Sequence, residues 1–347
     1  MKRFFALIVA VSLISSRSLA DSGPYKLLKS VTVGGDGRWD YITVDSDNRK
    51  LYIPRTNADR TDVYDVDTLQ KVGEIDDTNG VHGVAIDPES GHGFTSNRSD
   101  PSVTMFDLKT QAVIKKIPVT GKPDGIFFDP FTKHVFLESH SAPNETIINA
   151  ADGTVLGTLD LGGEPEQGAS DGKGHVYINL ESTSEVVAVD PVALKVTARY
   201  SLGEGEGPSG MGFDAANHRV FSFRGNQTAE VLDADSGKIL ATLPIGDEVD
   251  SGTFNPDTME AFSSNGDGTL TVIHEKDPNT FEVEQTVQTQ QGARTCSLDK
   301  KTGNILLVTA KFMAPATQTT QTTQTSTGRH RPRMVPGSFT ILVVGKQ

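Results

Sequence analysis

The chain of 347 residues has one cysteine, Cys296, and one tryptophan, Trp39. A single thiol excludes an internal disulfide, so the fold must be held by its own core, which a chain of this length can supply. Helical periodicity is missing throughout: apolar residues do not recur at three-to-four spacing over any helix-sized window. Basic charge is in deficit, with 32 Lys and Arg against 45 Asp and Glu and a formal net charge of −13. That balance disfavours general binding of nucleic acid or anionic lipid and suits attraction of cations. Familiar catalytic signatures are missing too. There is no HExxH run and no nucleophile elbow, and no spacing ties a Ser, a His and an Asp into a triad. The string GEGEG at Gly203–Gly207 carries two glutamates and precedes no helical pattern, so it is not a phosphate loop.

Long apolar runs are confined to the first twenty residues. Met1-Lys2-Arg3 is a charged lead, FFALIVAVSLI an apolar stretch, and SLA before Asp21 a small-residue cleavage site. This reads as a secretory signal peptide cut after Ala20. The stretch is too short to span a bilayer, and no cysteine follows the cut to take a lipid. The expectation is a periplasmic or secreted monomer, residues 21–347, with no transmembrane segment.

What is present is repetition. Short strands end on Asp45, Asp87, Asp129, Asp171, Asp214, Asn255 and Asp299, with spacings of 42, 42, 42, 43, 41 and 44 residues. A second series keeps the same register: VYD to Asp65, MFD to Asp107, IIN to Asn149, AVD to Asp190, VLD to Asp233 and VIH to His274. Each unit holds four strand-like runs, such as GIFFD, HVFLES, ETIIN and VLGTLDLG, broken by Gly, Pro, Asp or Asn turns. Four strands in about 42 residues is a propeller blade. The fold class is therefore all-β, a seven-bladed β-propeller with four antiparallel strands per blade. The ends complement each other. LLKSVTVGG near the start resembles a fourth strand, and SFTILVVGKQ at the end a third. Val31-Thr32-Val33 should therefore pair with Phe339–Leu342 and close the seventh blade, removing an open edge.

The run GKPDGIFFDPFTKHVFLES resembles the repeat of YVTN-type β-propellers, the YncE-like exported proteins, and the likeness extends over nearly the whole chain after the signal. The literal YVTN string is absent; LYIPR and HGFTSN are its nearest echoes. The resemblance implies the propeller fold and a binding or scaffold role, and brings no shared catalytic motif.

In a propeller the first strand of each blade lines the central channel, and the loop entering it opens on one face. Five positions before each strand-ending residue stands a letter that varies: Asp40, His82, Asp124, Glu166, Ser209, Asp250 and Arg294. A second row, ten positions after the strand end or just beyond, offers Arg55, Asn97, His140, Glu181, Arg224, Asn265 and Lys311. Turns before strands are polar in any case, and plain turn chemistry accounts for such a ring. Alternatively Asp40, Asp124, Glu166 and Asp250 gather to hold a divalent cation, Ca²⁺, Mg²⁺ or Mn²⁺, or a transition metal with His82 or His140. They could equally clamp an amine. His92, His134, His175 and His218 precede second strands on the opposite face and read as separate surface turns. Trp39 is either a stacking platform or a wedge between blades. Cys296 occupies a blade-packing position and should be buried. Blade seven carries a Thr/Gln-rich insertion at 312–337, which should be mobile over 314–334 because its composition cannot form a core.

Two functions follow. One is an envelope binding or scaffold protein that presents this face to a small molecule, peptide or partner protein. The other is a metal-dependent hydrolase of the lactonase type, with the acidic ring holding a cation that polarises a carbonyl or activates water. Binding of single-stranded nucleic acid through Arg55, Arg98 and Arg224 is disfavoured by the acidic balance.

Overall fold

The computed structural model describes residues 23–140, 142–313 and 333–347. The expected signal peptide and most of the Thr/Gln insertion lie outside these residues. Seven four-stranded antiparallel sheets form the molecule, as the repeat predicts. Blade one runs Thr43–Asp45, Lys50–Arg55, Arg60–Asp65 and Lys71–Ile75; blade two runs Val81–Asp87, His92–Asn97, Ser102–Asp107 and Val113–Pro118. Blades three to six follow the same order, their first strands being Pro123–Asp129, Pro165–Ser170, Pro208–Asp214 and Val249–Asn255. Among the described residues the only helical element is one 3₁₀ turn, Thr56–Ala58, and no helix is long and apolar enough to cross a membrane.

The strand-ending acids have a mechanical task. Asp129 accepts from the Phe131 amide and from the Thr132 amide and hydroxyl, and Asp214 accepts from the amides of Ala216 and Asn217. Asp65 and Asp107 do the same for the next hairpin of their blades, each binding a Thr three residues on. A short side chain that hydrogen-bonds its own turn starts the next strand in register, so these letters repeat.

Apolar side chains pack between neighbouring blades. One layer joins Trp39, Ile42, Leu51, Ile53 and Tyr64 of blade one to Leu306, Val308, Phe339, Ile341 and Val343 of blade seven. Trp39 is therefore a wedge, with its ring 5.2 Å from that of Phe339. Cys296 is buried, as expected.

Blade seven consists of Cys296–Asp299, Asn304–Thr309, Thr340–Lys346 and, outermost, the N-terminal strand Tyr25–Thr32. Thr32 pairs with Thr340 and Val31 with Ile341, and the Val33 amide donates to the Phe339 carbonyl at 2.8 Å. The closing strand is also tied to blade six: the Tyr25 amide donates to Gln285 Oε1 at 3.0 Å and Gln285 Nε2 returns to the Tyr25 carbonyl at 2.8 Å. At the base of the insertion Phe312 bridges Met334, and the Met313 amide donates to the Arg333 carbonyl at 2.7 Å. Arg333 and Met334, at the end of the segment expected to be mobile, thus extend the hairpin between the second and third strands, and the rest of that segment, 314–332, lies outside the described residues.

Candidate functional site

Six of the variable letters, Asp40, His82, Asp124, Glu166, Asp250 and Arg294, stand within electrostatic reach of one another at one mouth of the channel. His82 sits between two carboxylates, its Nδ1 lying 2.5 Å from Asp40 Oδ2 and 2.9 Å from Asp124 Oδ1. Asp124 Oδ2 takes an ion pair from Arg98, and His140 Nδ1 lies 2.8 Å from Glu166 Oε1 and 3.8 Å from Asp124 Oδ2. Tyr41 extends across the channel from blade one and donates its hydroxyl to Glu166 Oε2 at 2.7 Å. The chain of contacts Asp40–His82–Asp124–His140–Glu166–Tyr41 thus runs over blades one to four. On the other side Asp250 pairs with Arg294 at 3.2 Å.

This geometry sets the charges. Burial opposes a charged His82, but hydrogen bonds to Asp124 and Asp40 outweigh it and raise its pKa to about 9. The hydrogen bond to Glu166 raises His140 to about 9 against the opposing effect of burial. Asp124 is held low despite burial, chiefly by His82. Glu166 is pushed up by burial, with His140 pulling back. With both imidazoles protonated at neutral pH, Arg98, Arg294, His82 and His140 face Asp40, Asp124, Asp250 and a Glu166 raised to about 7 and so only partly ionised, and the mouth carries no excess of negative charge.

The second row needs correction. Arg55 is fully buried, donates through Nε to the Asp36 carbonyl at 2.9 Å and lies 3.7 Å over the Phe339 ring. Asn97 is buried among Thr95, Ser102 and Thr104, and Asn265 makes the equivalent set with Ser263, Thr269 and Thr271. Arg224 is buried and binds the Leu202 and Glu206 carbonyls and Glu230. Glu181 and Lys311 are exposed, away from the mouth network. Only His140 joins the mouth. The physical reason is one residue of register: Arg55, Asn97, Arg224 and Asn265 are the last residues of their second strands and point into the blade, whereas Glu181 falls just past the shorter strand Val176–Leu180. Eleven positions on, at Arg98 and His140, the side chain has left the strand and reaches the variable letter of the following blade.

Two residues that the sequence reading passed over complete the site. The position after the variable letter is Gly83, Gly125, Gly210, Ser251 or Thr295 in five blades, but Tyr41 and Gln167 in blades one and four. Tyr41 and Gln167 therefore fill the channel, and a large side chain at a position otherwise small was the available signal. Gln167 Oε1 accepts from the amides of Met211 and Gly252, each at 3.0 Å, and its Nε2 donates to the Gly252 carbonyl at 3.0 Å. Below them the channel holds a cavity of about 500 Å³ walled by Ile42, Val84, Ile126, Phe127 and Phe128, with Tyr41, Gln167 and Glu138 as its inner polar groups and Lys300 toward the far end.

Two sets of donor atoms at the mouth lie within 4.8 Å of one another, Asp40–His82–Asp124 and Asp124–His140–Glu166, sharing Asp124. These residues could hold a metal ion through imidazole and carboxylate. Neither set gathers all four of the expected carboxylates, Asp40, Asp124, Glu166 and Asp250, and Asp250 is in neither. A third set, Glu260–His274–Glu284, belongs to blade six, where Glu260 also binds Tyr25 and Lys346. The histidines on the opposite face have separate partners: His92 meets the Ala150 carbonyl, His175 Asp171 and His218 Asp235, while His134 lies near Asp129.

Fold and mouth together define a closed seven-bladed β-propeller with a charge-paired channel opening. The model of the YNCE-like beta-propeller family matches residues 27–175, in keeping with the resemblance read from the repeats. A solved structure titled "Structure of U3-55K" aligns over 93% of this chain and 99% of its own at a TM-score of 0.73 and 9% identity, which shows the fold alone. No curated protein matches the chain.

Proposed function

We propose that the protein is an exported, non-enzymatic binding module that takes a small organic ligand into its central channel. The observation that supports this best is the cavity of about 500 Å³, whose apolar walls meet a few convergent polar groups. That is the usual form of a small-molecule site, commonly about 300–1,000 Å³. The charged N-terminal lead and apolar stretch support export, and the likeness to YncE-like propellers fits a scaffold or binding role. A peptide or envelope protein is the alternative occupant, and the volume of about 500 Å³ matches a small molecule.

The hydrolase reading draws on the two imidazole–carboxylate sets. A divalent cation there has to displace the protons of His82 or His140 and compete with Arg98 for Asp124. That competition makes binding the better-supported reading. The test is thermal unfolding of the mature chain against a panel of small amines, acids, alcohols and lactones. It includes a variant, Ile86→Trp, that fills the channel from a partly exposed wall position. At least one compound should raise the melting temperature of the native protein and leave Ile86→Trp unmoved. Shifts that survive in the filled variant, or none anywhere in the panel, contradict the proposal. Hydrolysis of a lactone that requires added Mn²⁺ or Ca²⁺ would favour the enzyme.

A further inference from the structure

Glu138 is the unusual residue of the channel wall. It lies in the second strand of blade three, His134–Ser139, where blades two and six carry Ser96 and Ser264. Those serines donate to the backbone of the next blade, Ser264 to the Arg294 carbonyl at 2.6 Å and Ser96 to that of Asp124. A carboxylate cannot donate in this way. Glu138 is 1% exposed and lines the cavity; its Oε1 has no well-aligned hydrogen bond, and the Gly168 amide is the one backbone donor that acts on its carboxyl. The backbone makes room for it: a Cβ on Gly125 would lie 2.0 Å from Glu138 Oε2. Directly opposite on the neighbouring strand is Glu145, also fully buried, with neither carboxyl oxygen partnered. An isolated buried carboxyl costs free energy unless something pairs with it. Here two stand together without a basic side chain.

The cations of the mouth do not serve them. Arg98 and His140 are engaged with Asp124 and Glu166. Burial, then the neighbouring charges of Glu145, Glu166 and Asp124, keep the Glu138 carboxyl well above its ordinary range, so it holds its proton until a cation sits beside it and releases that proton to solvent when an ammonium group pairs with it. Beside Glu138 the wall is hydrocarbon, Ile126, Phe127 and Phe128, with Ile42 and Val84 further round. Thr43, Gln167, Thr253, Ser297 and Lys300 also line the cavity. A ligand that satisfies both features carries one ammonium group on an apolar body.

We propose that the channel cavity selects organic amines, with the ammonium paired to Glu138 Oε1 and the hydrocarbon part against Phe127, Ile126 and Val84. This rests on the reading of the channel as a ligand site and names the class of ligand. The Tyr41 hydroxyl, committed to Glu166, closes the space toward the mouth.

The test is calorimetric titration of the mature protein with a series of primary amines, butylamine to 2-phenylethylamine, and with the matching alcohols. Native protein should bind at least one amine about tenfold or more tightly than its alcohol, the loss expected when a charged hydrogen bond is removed. Glu138→Gln should bring amine and alcohol within about threefold. It keeps the shape of a protonated carboxyl, so its thermal unfolding should stay near or above native. Glu145→Gln, a change behind the wall, should leave the amine preference in place. Equal affinity for amine and alcohol in the native protein, both lost in Ile86→Trp, overturns the amine class and leaves the channel site standing. An amine preference that persists in Glu138→Gln overturns the assignment to Glu138. No binding by any compound of the series overturns both the amine class and its residue.

Discussion

Asn97 and Arg98 are neighbours in sequence and do different work. Asn97 ends a strand, turns into its blade and satisfies three hydroxyl groups there. Arg98 has just left the strand and pairs with Asp124 of the next blade. The same division separates Ser139 from His140: Ser139 is buried and receives the Lys122 amide, while His140 reaches Glu166. One residue of register therefore divides a row that holds each blade together from a row that couples blades across the channel mouth. The inner row is a scaffold whatever its charge, since Arg55 and Arg224 stand in it beside Asn97 and Asn265. A charged residue near the mouth is not a site residue until its side of the strand is known.

The comparison breaks most visibly in the inner row. Arg224→Met should cost about 3–5 kcal/mol, because it leaves a buried Glu230 and two backbone carbonyls without their donor. Denaturant unfolding measures that loss, and the ligand preference of the surviving folded protein should be unchanged. An effect below about 1 kcal/mol contradicts a scaffold role for this row. In the mouth row the effect should be smaller and depend on pH. His82 is raised from an ordinary 6.5 to about 9 in the folded protein. Its contribution is therefore fully present below pH 6.5 and is lost as pH rises through 9, and a shift of this size corresponds to about 3 kcal/mol. His82→Gln should be destabilised by about that much at pH 6, with the gap to native protein closing toward pH 10. A gap independent of pH would mean that His82 acts through packing. Smallest of the three, Arg294→Met should cost about 1 kcal/mol or less, because its pair with Asp250 is partly solvated and engages no histidine.

Much of the fold was legible because the repeat writes it seven times. The strand-ending acids cap turns, and those turns recur with the blade, so Asp45 to Asp299 fixed both strand number and phase. The closure was legible because Val31 and Ile341 belong to runs that each lack a neighbour. The position of the mouth was legible as well, since the variable letter falls at one place in every unit. Its chemistry was only half legible. The row showed His82 and Arg294 among its carboxylates, but not that Arg98 and His140 reach them from the preceding blade. Pairings between blades depend on how far each loop leans toward its neighbour, which a spacing does not encode. Glu138 was missed for a related reason. In the string HVFLES it reads as an ordinary polar residue at a strand end, and only the assembled channel makes it a buried carboxyl facing a cavity.

The central claim is that blades one to four close the mouth with a chain of carboxylates neutralised by protonated imidazoles. The direct measurement is an NMR titration of the histidine ring signals of the mature protein, with His82 and His140 assigned by single substitution. The account predicts that both rings stay protonated past pH 8 and titrate near 9, and that Asp124→Asn lowers the value at His82 first. Titration of both at or below pH 6.5 would contradict it: the carboxylates would then lack their neutralising partners, and a bound cation would become the better account of the mouth.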